Sequence, residues 1–313
     1  MRIMGRPRGL RGVTAVLAFC LLLAGCGSGP SQARAAVLIG DREISVDQVQ
    51  QLIDRAVRTQ PAAQQLAQQH KLDLIGREVV RQLVVHELIG EVAQREGLSA
   101  DPAVVGQLVA ALGQPQSATA ADPSQLAGLI VARVRDHTES ATDIALEQEL
   151  GSKYYRNMSV TFDFTSISSD EGGDRRGQAF ATAEQLAAAP NTAARRDNKF
   201  AAVQDPELAS TALYGVPAGN VVVFQPPGGE AVWVVAVIRQ RDFAGPVAVD
   251  GAVQASPDQL ASIGIRLLQP YVAESGVKIN PRYGVWDPVS MSLAPNSGET
   301  TGLVLPVKGS VQP

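Results

Sequence analysis

The chain has 313 residues, with 27 Lys and Arg against 31 Asp and Glu and a formal net charge of −4 at pH 7. Lys and Arg form no cluster anywhere along it, so the counter-charge that a phosphate backbone needs is missing and nucleic acid is disfavoured as a partner. Two cysteines and three histidines without ligand-like spacing argue against a metal site and a disulfide framework, and no Walker loop, Gly-x-Ser-x-Gly elbow or His-Glu-x-x-His stretch provides for a nucleotide enzyme or a hydrolase.

Residues 13–23 are eleven small or apolar side chains in a row, whereas a helix crossing the hydrocarbon core needs roughly 20. Arg2, Arg6, Arg8 and Arg11 precede them and no acid occurs before Asp41, which is the layout of a secretory signal peptide over residues 1–25. Leu23-Ala24-Gly25-Cys26 resembles the lipobox of bacterial lipoproteins, in which the Cys becomes the lipidated first residue. That resemblance implies palmitate-type acylation at Cys26, a flexible tether over 26–35, and a place on the extracytoplasmic face of the cell membrane. Each buried methylene contributes about 0.8 kcal/mol, so several acyl chains anchor durably where one does not. A plain signal peptide with an incidental Cys26 is the alternative. Loss of residues 1–25 removes four of the 27 basic residues and no acid, leaving 23 against 31 and a net charge of −8.

Residues 36–39 predict a short buried strand, and Gly40-Asp41-Arg42 turns it toward Glu43 and Ile44. Ser45 with Gln48 has the form of a capping box, and Val46, Val49, Leu52, Ile53, Ala56 and Val57 make one apolar helix face that ends before Pro61. A weakly buried helix over 62–71 follows. A longer one is then expected to be capped by Asp73, to bury Ile75, Val79, Val80, Leu83, Val84, Leu88 and Val92, and to end at Gly97. Asp101-Pro102 and Asp122-Pro123 open further helices, with a loop over 113–121 between them. Alternation over 160–167 predicts a half-buried strand, followed by a polar turn, a helix over 178–189, a loop over 190–199 and a short helix over 205–213. Residues 221–224 and 231–238 predict a hairpin turning at Pro226-Pro227-Gly228-Gly229. Ser256-Pro257-Asp258 opens a last helix, whose stripe of Leu260, Ile263, Gly264, Leu267, Leu268 and Tyr271 must bury against an earlier part of the chain, and 277–280 is a short strand. The Pro, Ser, Gly and Thr of residues 290–313 show no period and predict a disordered tail.

The stretch Ala36-Val37-Leu38-Ile39-Gly40-Asp41-Arg42-Glu43-Ile44-Ser45, with Arg81-Gln82-Leu83-Val84-Val85-His86-Glu87-Leu88-Ile89 and Glu96-Gly97-Leu98-Ser99-Ala100-Asp101, resembles the N-terminal domain of SurA-like and PrsA-like exported chaperones. The resemblance covers about residues 36–289 and implies an α+β fold. A SurA-like helical domain would span 36–157, an inserted parvulin-like domain 158–243, and a C-terminal helix and strand over 256–289 would return to the helical domain. It implies binding of unfolded or partly folded exported and envelope proteins without covalent catalysis. Parvulin-type isomerase sites use two His residues and a Cys or Asp; residues 158–243 contain no His or Cys, and Trp233 stands where one such His belongs, so no catalytic residue carries over. A residual peptidyl-prolyl cis-trans isomerase and a non-chaperone adaptor in a cell-envelope complex are the alternatives.

Trp233 and Phe162 in the middle domain, and Tyr283 and Trp286 in the extended stretch 280–288, are the candidate client-binding residues; for the last two, packing on the core competes with that role. His86 is expected to pack within the long helix, and Glu139, Asp143, Glu147 and Glu149 to face solvent. No cofactor and no metal are expected.

Overall fold

The computed structural model describes residues 34–114, 122–168, 174–229, 232–245 and 249–309. The signal segment and Cys26 lie outside them. Strands β1 (Ala35–Ile39) and β2 (Arg42–Ser45) pair antiparallel around a turn that places Gly40 at φ 59°, in the left-handed region where a side chain is strained. Ser45 leaves β2 to cap α1 (Val46–Thr59), its side chain accepting from the Gln48 backbone N–H. Pro61 stops α1 and begins α2 (Pro61–Gln68).

Helix α3 (Leu72–Glu96) follows, about 37 Å long at 1.5 Å per residue. It buries the predicted stripe together with Ile89 and ends on Gly97 at φ 65°. The N-cap differs from expectation: Lys71 occupies it without a side-chain bond, and Asp73 lies inside the first turn, paired with Arg77 at 2.8 Å. A carboxylate anywhere in that turn meets the positive end of the helix dipole, so Asp73 marks the end of the helix without being its cap. Helices α4 (Pro102–Leu112), α5 (Pro123–Val134) and α6 (His137–Tyr155) are capped by Asp101, Asp122 and Asp136.

After α6 come β3 (Ser159–Ile167), α7 (Arg175–Ala188), β4 (Arg195–Ala201), the one-turn helices α8 (Pro206–Ala209) and α9 (Ala212–Gly215), then β5 (Asn220–Phe224) and β6 (Trp233–Asp242). Helices α10 (Pro257–Leu267) and α11 (Gln269–Ser275) precede β7 (Lys278–Ile279), β8 (Val285–Asp287), β9 (Ser292–Ala294) and β10 (Leu303–Pro306). The fold is α+β, with two antiparallel sheets of three and five strands and a small β8-β9 hairpin.

The five-stranded sheet has the order β10-β5-β6-β3-β4. Val221, Val223, Val235 and Val237 on one face pack under Ala179, Ala183 and Leu186 of α7, while Val222, Phe224, Ala236 and Ile238 on the other join the helical core. Burial on both faces explains why β5 reads as an unbroken apolar run. The register passes from Phe162 opposite Ile238 to Thr161 opposite Gln240, so Arg239 is the extra residue of a β-bulge. Beyond it the faces exchange, and Arg241 lies opposite Val160, on the side of the helical core.

Helix α10 lies directly on α6. A Cβ built on Gly264 would stand 2.0 Å from the Glu147 carbonyl oxygen, and one on Gly151 2.0 Å from that of Leu260, so the two backbones touch and only glycine fits. Strand β7 then adds to β1, and the Asn280 side chain donates to the Ala35 carbonyl at 2.9 Å, tying the C-terminal segment to the first strand.

Two expectations are corrected. Residues 290–309 are not a disordered tail: Met291, Leu293 and Ala294 are buried, β9 pairs with β8, and β10 is an edge strand on β5. Strands of three and four residues are too short to show a period, and the ladder bonds of β10 come from β5, about 80 residues earlier. The expected loop 190–199 contains β4, whose Arg-Arg-Asp-Asn-Lys sequence suits an exposed edge.

Candidate functional site

A cleft of about 400 Å³ opens where the C-terminal segment meets the five-stranded sheet. The turn before β5 (Val216, Pro217, Ala218), α11 (Pro270, Val272, Ala273), Trp286 of β8 with the following Pro288, and Val304 of β10 form its apolar walls, and Gln269 of α11 lines it as well. Past Arg241, Pro270 and Glu274 it adjoins a second compartment of about 260 Å³, bounded by Glu96, Leu150, Tyr154, Phe243, Leu267 and Tyr271. The three shared residues, Arg241 among them, stand between the two compartments.

The walls are held by buried polar anchors. Asp287, 1% exposed, accepts from the backbone N–H groups of Val289 (2.9 Å), Ser290 (3.3 Å) and Thr301 (2.6 Å) and from the Thr301 hydroxyl (2.8 Å), fixing the turn that carries Trp286 and Pro288. Arg266 of α10 donates to the carbonyls of Ser210 (2.5 Å) and Val289, and burial draws its pKa down to about 10.

Inside the cleft the pairing is incomplete. Among the described residues six buried side-chain polar atoms have no hydrogen-bond partner, and three of them, Arg241 Nε, Gln269 Oε1 and Trp286 Nε1, belong to residues lining this cleft. Burial draws the Arg241 pKa down to about 10; its guanidinium lies 5.0 Å from the Phe243 ring centroid, and among the described residues no carboxylate is within ion-pair reach. Glu274 and Glu96, by contrast, are neutralised: Glu274 by Arg95 at 3.2 Å, and Glu96 by Lys153 at 2.7 Å and the Tyr154 hydroxyl at 2.6 Å. Gln269 is fixed against Gly215, where a Cβ would meet its Oε1 at 2.1 Å. These two donors and an acceptor lie buried just behind the apolar walls, and the walls themselves suit a polypeptide segment with apolar side chains.

Of the four aromatic candidates the structure brings only Trp286 to this cleft. Phe162 is buried against Phe164 and Phe200, and Tyr283 packs beside Gly76 of α3, so neither offers surface to a client. Trp233 is half-buried on the α7 face, edge-on to Phe180 at 6.3 Å, across the sheet from the cleft. Cys26 lies outside the described residues. Sequence reasoning did not find Arg241 or Gln269: the Val235-Val237 alternation would put residue 241 on the α7 face, and the bulge that turns it to the other face leaves no local signal.

The acidic run of α6 is also corrected. Spacing of four residues puts Glu139, Asp143 and Glu147 on one face, and that face turns inward, leaving Glu149 exposed. Asp143 takes Arg135 at 3.0 Å and His86 Nδ1 at 2.8 Å, and His86 Nε2 lies 3.2 Å from Glu139. The bond to Asp143 raises the His86 pKa, and burial pushes the Glu147 carboxyl up to about 8. A raised folded value means stability that is complete below the unfolded value and is lost as pH climbs through the folded one. Glu147 therefore erodes stability between about 4.5 and 8, and His86 acts in the same direction above its ordinary 6.5. Glu147→Gln should raise stability at pH 8 by on the order of 2 kcal/mol and leave it unchanged at pH 4, as urea unfolding at the two pH values would read. Equal effects at both values would refute this account. Among the described residues no group of His, Cys, Asp and Glu could hold a metal, and no helix is long and apolar enough to cross a membrane.

No family model and no curated protein matches the chain. One matching solved structure is the 3.10 Å crystal structure of the foldase protein PrsA from Lactococcus lactis, at 12% identity, covering 79% of this chain and 94% of that one. Its TM-score is 0.26, too low to carry an argument about architecture or activity.

Proposed function

We propose that this protein is a foldase-type binding factor that takes extended, apolar segments of unfolded exported proteins into the cleft, tethered to the outer face of the membrane through acylated Cys26. The observation that carries the binding role is the cleft itself: apolar walls with three buried, unpartnered polar groups on residues facing it. An unpaired buried donor costs about 1–3 kcal/mol, and a main chain laid across it recovers that free energy. The resemblance of residues 36–101 to exported chaperones and the lipobox-like Leu23-Ala24-Gly25-Cys26 supply the compartment.

The purified protein is expected to suppress aggregation of a chemically denatured client at near-equimolar ratio, without accelerating a proline-limited refolding reaction. Trp286→Ala should weaken client binding by about tenfold or more, since aromatic anchors dominate such sites, whereas Trp233→Ala should leave it unchanged. Cys26→Ser should abolish palmitate labelling and release the chain from the membrane fraction. Inactivity in both solution assays would leave the envelope-adaptor reading; catalysed refolding would favour the isomerase.

A further inference from the structure

We infer that the cleft selects client segments in which an acidic side chain is flanked by apolar ones, with Arg241 as the receptor for its carboxylate. The inference rests on the polypeptide-binding reading above and specifies the chemistry of the segment. The neighbouring charges are all satisfied. Arg239, two residues earlier on β6, holds Asp163 at 2.5 Å, Arg266 donates to two carbonyls, and Glu274 and Glu96 have cationic partners. Arg241 alone among these has only the face of Phe243, although it is largely withdrawn from water. A desolvated guanidinium lacking a counter-charge is poised for a charge-assisted, bidentate bond to a carboxylate, which a neutral carbonyl replaces only in part.

Position decides which carboxylate. Arg241 lines both compartments and stands between them. A chain terminus held there would fill one compartment and leave the other unused. A segment laid across both would set apolar side chains against Trp286 and Pro288 on one side and Leu150 and Phe243 on the other, presenting a Glu or Asp between them. The protein is acidic overall, so this preference is local to Arg241 and not a consequence of long-range attraction.

The test uses the full chain in detergent and three short, fluorescently labelled peptides, read by anisotropy. One is an end-blocked apolar peptide with a central Glu, the second its Gln twin, and the third the Gln peptide with a free terminal carboxylate. The Glu peptide is expected to bind about tenfold tighter than its Gln twin, and the free-terminus peptide to bind like the blocked Gln peptide. Arg241→Gln should abolish the difference between the Glu peptide and its Gln twin, whatever it costs both in common, and circular dichroism with thermal unfolding reports that the fold is intact. Arg241→Lys should restore part of the preference. Equal affinity for the Glu and Gln twins, a preference surviving Arg241→Gln, or a gain claimed by the terminal carboxylate would each overturn the inference while leaving the cleft a polypeptide site. If no peptide binds, the binding reading fails along with it.

Discussion

Asp287→Ala is expected to destabilise the protein by about 3–5 kcal/mol, the largest effect of any single substitution near the cleft. The carboxylate is 1% exposed and accepts four bonds, from Val289, Ser290 and both donors of Thr301. Its removal leaves those donors facing a small apolar side chain, and unpaired buried donors cost about 1–3 kcal/mol each, although the sum is not additive. The loss also frees the turn bearing Trp286 and Pro288, and loosens the link from β8 to the segment leading into β10. Client affinity should therefore fall together with stability. Thr301→Val removes one of the four bonds and should cost about 1 kcal/mol. Urea unfolding followed by circular dichroism measures both. A midpoint for Asp287→Ala equal to that of the wild type would show that this anchor does not hold the C-terminal segment.

Gly264→Ala sets two effects against each other. In a helix Ala is favoured over Gly by about 1 kcal/mol. Here, however, the added methyl would stand 2.0 Å from the Glu147 carbonyl oxygen, which is backbone and has no rotamer in which to escape. Separating α10 from α6 to make room gives up close packing along the whole contact, and overpacking of this kind costs about 1–3 kcal/mol. The net expectation is a loss of about 2 kcal/mol. Gly90→Ala is the matched control: it is also helical, nothing lies within 4 Å of its added Cβ, and the propensity gain should act unopposed. Thermal unfolding of the pair should show shifts of opposite sign; shifts of the same sign would rule out the backbone contact as the reason for Gly264.

The helical elements were largely legible. Ser45, Asp101, Asp122 and Ser256 announced helix starts because a short polar side chain must satisfy N–H groups that the helix leaves unpaired, and Gly97 announced an end because the left-handed cap disfavours a Cβ. Such signals are local, with cause and effect lying within four residues. The valine run of β5 and the alternation of β3 were legible for the same reason. The cleft was not. Arg241 reaches it because one extra residue at Arg239 reverses the faces of β6, and a bulge is a property of the pairing between two strands. Only Trp286 among the chosen aromatics lines it, because composition marks an aromatic residue as rare without saying which side of it is covered.

By itself, then, the order of residues determined the caps, the apolar stripes, the absence of parvulin-like histidines from residues 158–243 and the acidic balance, all of which depend on neighbours along the chain or on plain counts. Tertiary structure decided the rest. It turned Asp143 and Glu147 inward, made strands of residues 292–294 and 303–306, set Gly264 against the backbone of α6, and left a guanidinium without a counter-charge between two compartments. Each of these follows from contacts between residues far apart in the chain, whose free energy exists only once both partners are in place.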